Sequence, residues 1–167
     1  MTKHLREKII LPAVAFLILV ADQISKYLVL SNLIPGQSWN PVASLTPWVS
    51  ITYVTNTGAA FGLFQDQGSF FVVIAVIVVA AIILYYRHLP TGQWWIKISL
   101  GLQLGGALGN LLDRLRLGYV VDFIDFKIWP VFNLADSSIV IGVAILAYYL
   151  LQDKGEQENS ERRIQEG

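Results

Sequence analysis

Residues 69–86 form an apolar run with no charged side chain, and three further runs, at 9–30, 96–112 and 134–151, are nearly as apolar. A helix needs about 20 mostly apolar residues to cross the hydrocarbon core of a bilayer. The chain is 54% hydrophobic and only 14% charged, whereas soluble proteins carry about 25% charged residues. The sequence therefore predicts an all-α membrane protein with four transmembrane helices.

The first run has basic residues before it, a pattern that also fits a cleaved signal peptide. However, the apolar character resumes after Lys26 through residues 27–30. The full stretch is then long enough to span a membrane. We therefore interpret it as an uncleaved first helix.

Lysine and arginine are distributed unevenly between the two sides of this bundle, and short cytoplasmic flanks are enriched in them. The segment 31–68 contains none. One side carries Lys3, Arg6, Lys8, Arg87, Lys97, Lys154, Arg162 and Arg163, and the other Arg114, Arg116 and Lys127. We therefore expect both termini in the cytoplasm, with residues 152–167 forming a disordered polar tail.

The outer segment 31–68 is too long for a simple connection. Residues 48–55 are β-branched and aromatic with partial alternation, which predicts a strand. A turn at 56–58 leads to the apolar residues 59–64, which we expect to form an interfacial helix. The prediction is one membrane domain, residues 1–167, with a small extracytoplasmic β-sheet subdomain over the helix ends.

Glycines at 101, 105 and 109 share one face of the third predicted helix. Small residues at this spacing let a neighbouring helix approach closely. We interpret them as packing positions without chemistry.

Composition excludes several classes of site and partner. The chain has no cysteine, so disulfides, thiolate metal sites and cysteine nucleophiles are excluded. Its two histidines, His4 and His88, fall on the predicted cytoplasmic side, which argues against a Ser-His-Asp triad or a histidine metal site on the outer face. The formal net charge is zero, so no nucleic-acid partner is indicated. We expect no metal or other cofactor.

Two aspartates are the most informative polar residues. Asp136 lies near the start of the run 134–151, at or just below the bilayer surface, and Asp122 lies in the preceding stretch, which we expect to face water. An ionisable side chain at such a depth is costly and marks a functional candidate. Asp122 and Asp125 can each also be interpreted as ordinary loop residues. Composition does not distinguish between these two aspartates.

A pair of carboxylates supports a specific mechanism of hydrolysis. Two like charges a few ångströms apart do not both ionise, so one acid stays protonated. The ionised partner takes a proton from water, which attacks a peptide carbonyl, while the protonated partner donates to the carbonyl oxygen and then to the leaving nitrogen. Asn56, Asn133 and Arg114 are candidate donors to the developing oxyanion.

Further polar residues cluster at the same outer depth. Asp22 and Lys26 are four apart and share a helix face, which favours a structural ion pair. Asn110, Asp113 and Arg114 form one polar corner of the third helix, in which Arg114 either neutralises Asp113 or holds a substrate carbonyl.

Asn133 either caps the fourth helix through its side-chain oxygen or binds substrate. Asp136 is a less suitable cap because it falls inside the apolar register of that helix.

Five motifs occur in order along the chain. They are Ala21–Lys26 (ADQISK), Asn56–Phe61 (NTGAAF), Gly105–Arg114 (GGALGNLLDR), Val120–Phe123 (VVDF) and Phe132–Ser137 (FNLADS). In this order the chain resembles the bacterial lipoprotein signal peptidases, or signal peptidase II, from about residue 9 to 151. Any one motif alone is a weak indication.

The resemblance implies an intramembrane aspartyl endopeptidase of the bacterial inner membrane, active near the extracytoplasmic surface. It implies cleavage of prolipoproteins before a diacylglyceryl-modified cysteine, contact with membrane lipids and inhibition by globomycin. Asp122 and Asp136 match the catalytic pair, and Asp125 matches no catalytic position. Asn56, Asn110, Arg114 and Asn133 match positions lining the substrate site, and Asp22 and Lys26 match a supporting motif. Nothing in the sequence demands more than a monomer.

Three other functions fit parts of this pattern. A proton-coupled transporter would place its site near the membrane midplane between internal repeats, but these carboxylates gather at one end and the halves show no repeat. A Ser-Lys protease using Ser25, Ser137 or Ser138 with Lys26 is weakened because Ser25 and Lys26 point to different helix faces. A non-enzymatic assembly factor would retain function without either aspartate of the pair.

Overall fold

The computed structural model of the chain describes residues 3–58, 67–89 and 92–165. The predicted interfacial helix at 59–64 lies outside these residues. In chain order the elements are α1 (Lys3–Asn32), β1 (Ser38–Trp39), a 3-10 turn (Ala43–Leu45), β2 (Ser50–Asn56), α2 (Gly68–Tyr86), α3 (Trp94–Leu117), β3 (Val120–Asp125) and α4 (Leu134–Gln165). The architecture is thus helical with a small sheet, as the sequence predicts.

Within the described residues, three helical segments are long and apolar enough to cross a membrane. They are Glu7–Asn32, Gly68–Tyr86 and Leu134–Gln152, which correspond to the first, second and fourth predicted spans. The third predicted span is also a helix, α3, but it carries Lys97, Asn110 and Asp113 along its length. These side chains are buried within the protein, so they would not face lipid if α3 crossed the membrane. That α3 crosses the membrane stays a prediction.

Helix α3 is the central element of the bundle, with α1, α2 and α4 packed against it. Its glycines permit this packing. A Cβ added at Gly105 would lie 2.7 Å from the carbonyl oxygen of Ala15 in α1, and one at Gly109 would run into the carboxylate of Asp22. The predicted close approach of a neighbouring helix is confirmed, and that neighbour is α1.

The three strands form one antiparallel sheet in the order β1-β2-β3. The strand predicted at 48–55 is confirmed as β2. Strand β3 was not predicted, and the expectation that its region faces water is wrong, because Asp122 is only 1% exposed. Pairing with β2 buries this segment, and an apolar cluster joins the sheet to α1: Val29, Tyr53, Val121 and Phe123.

A β-bulge sets which side chains of β2 and β3 share a face. Ile51 pairs with Ile124 and Val54 with Asp122, so two residues of β2 oppose the single residue Phe123. Beyond the bulge Asn56 pairs with Val120. Because side chains alternate between faces along a strand, Asn56 and Asp122 point to the same side of the sheet.

Helix α4 extends to Gln165, so the prediction of a disordered tail from residue 152 is wrong as far as this residue. The tail is rich in Gln, Glu and Arg, which are good helix formers. Adding residues to an existing helix also avoids the cost of nucleation. The polar composition of this segment therefore does not by itself indicate loss of helical structure.

Candidate active site

Asp122 lies on β3, and two asparagine amides hold its carboxylate. Asn56 Nδ2 donates to Oδ2 at 2.8 Å, and Asn133 Nδ2 donates to Oδ1 at 2.7 Å. Strand register brings Asn56 to this carboxylate, whereas Asn133 reaches it from the start of α4. Both carboxylate oxygens therefore have a donor although the side chain is almost fully buried.

Asp136 is the third residue of α4, and its carboxylate also has two donors. Asn110 Nδ2 donates to Oδ1 at 2.7 Å, and the backbone N–H of Asn133 donates to Oδ2 at 3.3 Å. In return, Asn133 Oδ1 accepts the backbone N–H of Asp136 at 2.9 Å. This is the reciprocal geometry of a capping box. Asn133 is thus the helix cap, and Asp136, which the sequence disfavoured as a cap, completes it.

Asn133 links the two aspartates directly, since its side chain donates to Asp122 and caps the helix turn that carries Asp136. Burial, and next the negative charge of Asp136, raise the pKa of Asp122 from 3.8 to about 7, against the lowering effect of the amides of Asn56 and Asn133 and the charge of Lys26. Asp122 therefore retains a proton to near neutral pH.

Behind the two carboxylates lies a buried ion cluster centred on Lys26, which is 2% exposed. Its ammonium group lies 2.9 Å from each of three acceptors: Asp22 Oδ2, Asp113 Oδ2 and Asn110 Oδ1. Asp22 Oδ1 also accepts the backbone N–H of Ala135 at 3.0 Å. The ion pair expected between Asp22 and Lys26 is present, and it connects α1 to both α3 and the first turn of α4.

Asp113 does not pair with Arg114, one of the two arrangements that the sequence left open. Its Oδ2 accepts from Lys26 and from the backbone N–H of Val121 at 3.1 Å. Its Oδ1 accepts from Gln23 at 3.0 Å. Gln23 is part of the cluster but was not singled out in the sequence, because a glutamine beside an ion pair gives no signal of its own.

Arg114 extends toward the outer loop. Its Nη2 donates to the carbonyl oxygen of Gly58 at 3.2 Å, and its guanidinium carbon lies 5.1 Å from the ring centroid of Phe71. Its Nε–H is buried and has no hydrogen-bond partner within the described part of the chain. A buried donor without a partner costs free energy, so this group can bind a carbonyl oxygen of a ligand.

A cavity of about 660 Å³ contains both aspartates on its wall, together with Asn56, Asn110 and Arg114. Pockets of this size accommodate small-molecule or peptide segments. The rest of the cavity lining is mostly apolar and was not identified from the sequence, since scattered apolar residues give no site signal. Its apolar residues are Phe71, Val120, Trp129, Pro130, Val131, Phe132, Val140 and Ile141.

The remaining candidates have structural partners. Asp125 accepts hydrogen bonds from Thr52 and Lys127. The hydroxyl groups of Ser25, Ser137 and Ser138 donate to backbone carbonyls, and Lys26 has its three acceptors elsewhere. No serine among these is therefore hydrogen-bonded to Lys26, as a Ser-Lys catalytic pair would require.

Comparisons with known proteins show the family of this chain. The family profile described as signal peptidase (SPase) II matches residues 14–152. The lipoprotein signal peptidase of Moorella thermoacetica is 51% identical over 86% of this chain and 93% of its own length. That of Halothermothrix orenii is 45% identical over 84% and 94%.

Two solved structures, both described as bacterial membrane enzymes, share the fold. One superposes with a TM-score of 0.76 at 33% identity, covering 86% of this chain and 88% of that one. The other gives 0.72 at 34% identity, covering 84% and 92%. The family profile covers most of the chain, and the relatives are matched over nearly their whole length. This chain is a multi-pass membrane peptidase that belongs to the signal peptidase II family.

Proposed function

We propose that this protein removes signal peptides from prolipoproteins, cutting before a diacylglyceryl-modified cysteine, with Asp122 and Asp136 as the catalytic pair. The observation that carries the proposal is the convergence of both carboxylates on one cavity, linked by Asn133. Membership of the signal peptidase II family supports the substrate class.

The two aspartates differ in surroundings, and this difference suggests their roles. Asp136 lies in the first turn of α4, where the helix dipole favours a negative charge. We therefore assign it as the ionised base that takes a proton from water. Asp122, buried and with a raised pKa, is the acid that donates to the substrate carbonyl oxygen as water adds to the carbonyl carbon.

The tetrahedral intermediate then collapses with breakage of the carbon–nitrogen bond. The proton that Asp136 took from water passes to the leaving nitrogen and one hydroxyl proton returns to Asp122, which yields the free amine and a new carboxyl group. The Nε–H of Arg114, which has no partner in residues 3–58, 67–89 and 92–165, is placed to hold a carbonyl of the substrate backbone. Because the cavity is partly apolar and protein-lined, these charges interact more strongly than in water.

The apolar wall of the cavity suits the lipid part of the substrate. A diacylglyceryl group anchored in the bilayer holds its cysteine at the membrane surface, and Asp136 begins a membrane-spanning segment. We therefore place the site at the extracytoplasmic surface of a bacterial inner membrane, with both termini in the cytoplasm. Globomycin is expected to compete for the same cavity.

The test is cleavage of a diacylglyceryl-modified prolipoprotein by the purified protein. We expect Asp122→Asn and Asp136→Asn to lose roughly 10³-fold or more in turnover while remaining folded, since each removes a proton-transfer group. Asp125→Asn is the matched control, because Asp125 lies on the same strand and is bonded to Thr52 and Lys127.

If either variant of the pair keeps near wild-type turnover, that aspartate is structural and the two-carboxylate mechanism is wrong. If the wild-type protein does not cut the lipidated substrate, the substrate assignment fails.

A further inference from the structure

Three asparagine side chains of the site have orientations fixed by groups that only donate hydrogen bonds. Asn56 Oδ1 accepts the backbone N–H of Gly58 at 3.0 Å, and Asn133 Oδ1 accepts that of Asp136. Asn110 Oδ1 accepts from the ammonium of Lys26. Neither a backbone N–H nor an ammonium can accept. The amide oxygen must therefore face each of them, and the NH2 groups are left to point at the aspartates.

Lys26 is the only one of these three fixing groups that carries a charge. Its three acceptors satisfy all three of its donors. It is buried and does not line the cavity, so it does not meet the substrate. Its link to the cavity runs through Asn110, whose Nδ2 donates to Asp136 Oδ1 at 2.7 Å.

Resting on the function proposed above, we propose that Lys26 is a positioning residue for the hydrolysis. By holding the amide oxygen of Asn110, it keeps the amide NH2 donating to Asp136 and so keeps Asp136 as the ionised partner. If the amide turned over, its NH2 group would face the ammonium and its oxygen would face the carboxylate. Both contacts would be repulsive, so the positive charge of Lys26 selects a single orientation.

Lys26 also acts on Asp122 through space. The charged groups around Asp122 are Lys26 from α1, Arg114 from α3 and Asp136 from α4, while β2 contributes the neutral Asn56. Burial dominates the raised pKa of Asp122, and Lys26 opposes it. Loss of the lysine charge therefore moves this pKa further up.

The test compares Lys26→Met with Lys97→Met. Lys97 is a matched control because it is also buried and paired with a carboxylate, Glu7 Oε2 at 3.0 Å, but it does not line the cavity. For Lys26→Met we expect kcat to fall about ten- to a hundredfold, the size of one hydrogen bond to a charged group. We expect the KM of this variant to change little and the alkaline limb of its pH profile of kcat to move to higher pH. Lys97→Met should leave both the profile and kcat per folded molecule unchanged.

An unshifted pH profile for Lys26→Met, with activity lost only in proportion to unfolded protein, would overturn the proposal. Lys26→Met leaves Asp22 and Asp113 buried without their cation, which is strongly destabilising. Asn110→Asp is therefore the second variant, since it keeps an acceptor for Lys26 and replaces the amide donor to Asp136 with a carboxylate oxygen that repels it. We expect it to fold with a reduced kcat, and retention of wild-type kcat would equally overturn the proposal.

An infrared pH titration separates this proposal from the proposed function, because it needs no substrate. The C=O stretch of protonated Asp122, identified by its absence in Asp122→Asn, should disappear at higher pH in Lys26→Met than in the wild type. Lys97→Met should titrate like the wild type. This readout holds even if the lipidated prolipoprotein proves not to be cut, while an identical titration in all three proteins would contradict the role of Lys26.

Discussion

Asn133 and Asp136 cap each other at the start of α4: the side-chain oxygen of Asn133 accepts the backbone N–H of Asp136, and the Asp136 carboxylate accepts the backbone N–H of Asn133. A capping box normally serves only to satisfy the free N–H groups of a helix end. Here the same carboxylate faces the cavity. The beginning of the helix therefore determines where the proposed base lies, and stability and chemistry depend on one pair of residues.

The first prediction separates these two roles of Asn133. Asn133→Ser keeps a side-chain oxygen that can cap the helix, whereas Asn133→Ala does not, so the alanine variant should be less stable by about 1 kcal/mol. Both variants lose the Nδ2 donor to Asp122 and should lose activity to a similar extent, about tenfold or more. Thermal unfolding in detergent and cleavage assays measure the two effects. Equal stability of both variants would contradict the capping role.

The second prediction concerns pH. The pKa of Asp122 rises from its ordinary value of 3.8 to about 7 in the folded protein, chiefly through burial. A raised pKa means that the contribution of this group to stability is full below about pH 4 and is lost as pH rises through about 7. We expect the melting temperature to decline over this window and activity to fall above it, as the acid loses its proton.

Melting curves of the wild type and Asp122→Asn across pH 4 to 9 check this directly. Because asparagine does not titrate, the variant should show a smaller decline, and the difference between the two curves isolates Asp122. Parallel curves would show that Asp122 has no raised pKa in the folded protein.

The sequence predicted the apolar part of each helix well because hydrophobicity specifies it: the run at 69–86 differs from α2 by one residue at its start, whereas the polar end of α4 lies outside its predicted run. It also indicated strand β2 through its β-branched residues. Strand β3 was missed because VVDFID contains two aspartates, which are rare in strands. Its burial depends on pairing with β2, a contact between residues far apart in the chain that local propensity does not encode.

The candidate site shows the same difference between contacts that local sequence predicts and contacts that depend on packing. The pair Asp22 and Lys26 could be predicted because four residues separate them on one helix face. The bonds from Asn110 and Asn133 to the aspartates could not, because they join α3, β3 and α4 and depend on how these elements pack. The resemblance to a family assigned these residues to the site, but only the structure gives their orientations.

The third prediction tests the close contact between α1 and α3. A Cβ at Gly105 would lie 2.7 Å from the carbonyl oxygen of Ala15, which is backbone and cannot move aside alone. We expect Gly105→Ala to destabilise the protein by about 1–3 kcal/mol, the usual cost of overpacking. Gly68→Ala is the control, since among the described residues its Cβ would meet only the carbonyl oxygen of Gly118 at 3.6 Å. Equal melting temperatures of the two variants would show that α1 and α3 can separate at no cost.

The fourth prediction concerns Arg114, whose guanidinium faces Phe71 and donates to Gly58, while its Nε–H has no partner among the residues that the structure describes. Lysine keeps the charge but loses the planar group and its several donors. If the Nε–H binds a carbonyl of the substrate in the ground state and in the transition state alike, Arg114→Lys should raise KM about tenfold with little change in kcat. Arg116→Lys, at an exposed position two residues further along α3, should leave both constants unchanged. A fall in kcat at constant KM would instead assign Arg114 to stabilisation of the oxyanion, because an interaction made only in the transition state lowers kcat alone.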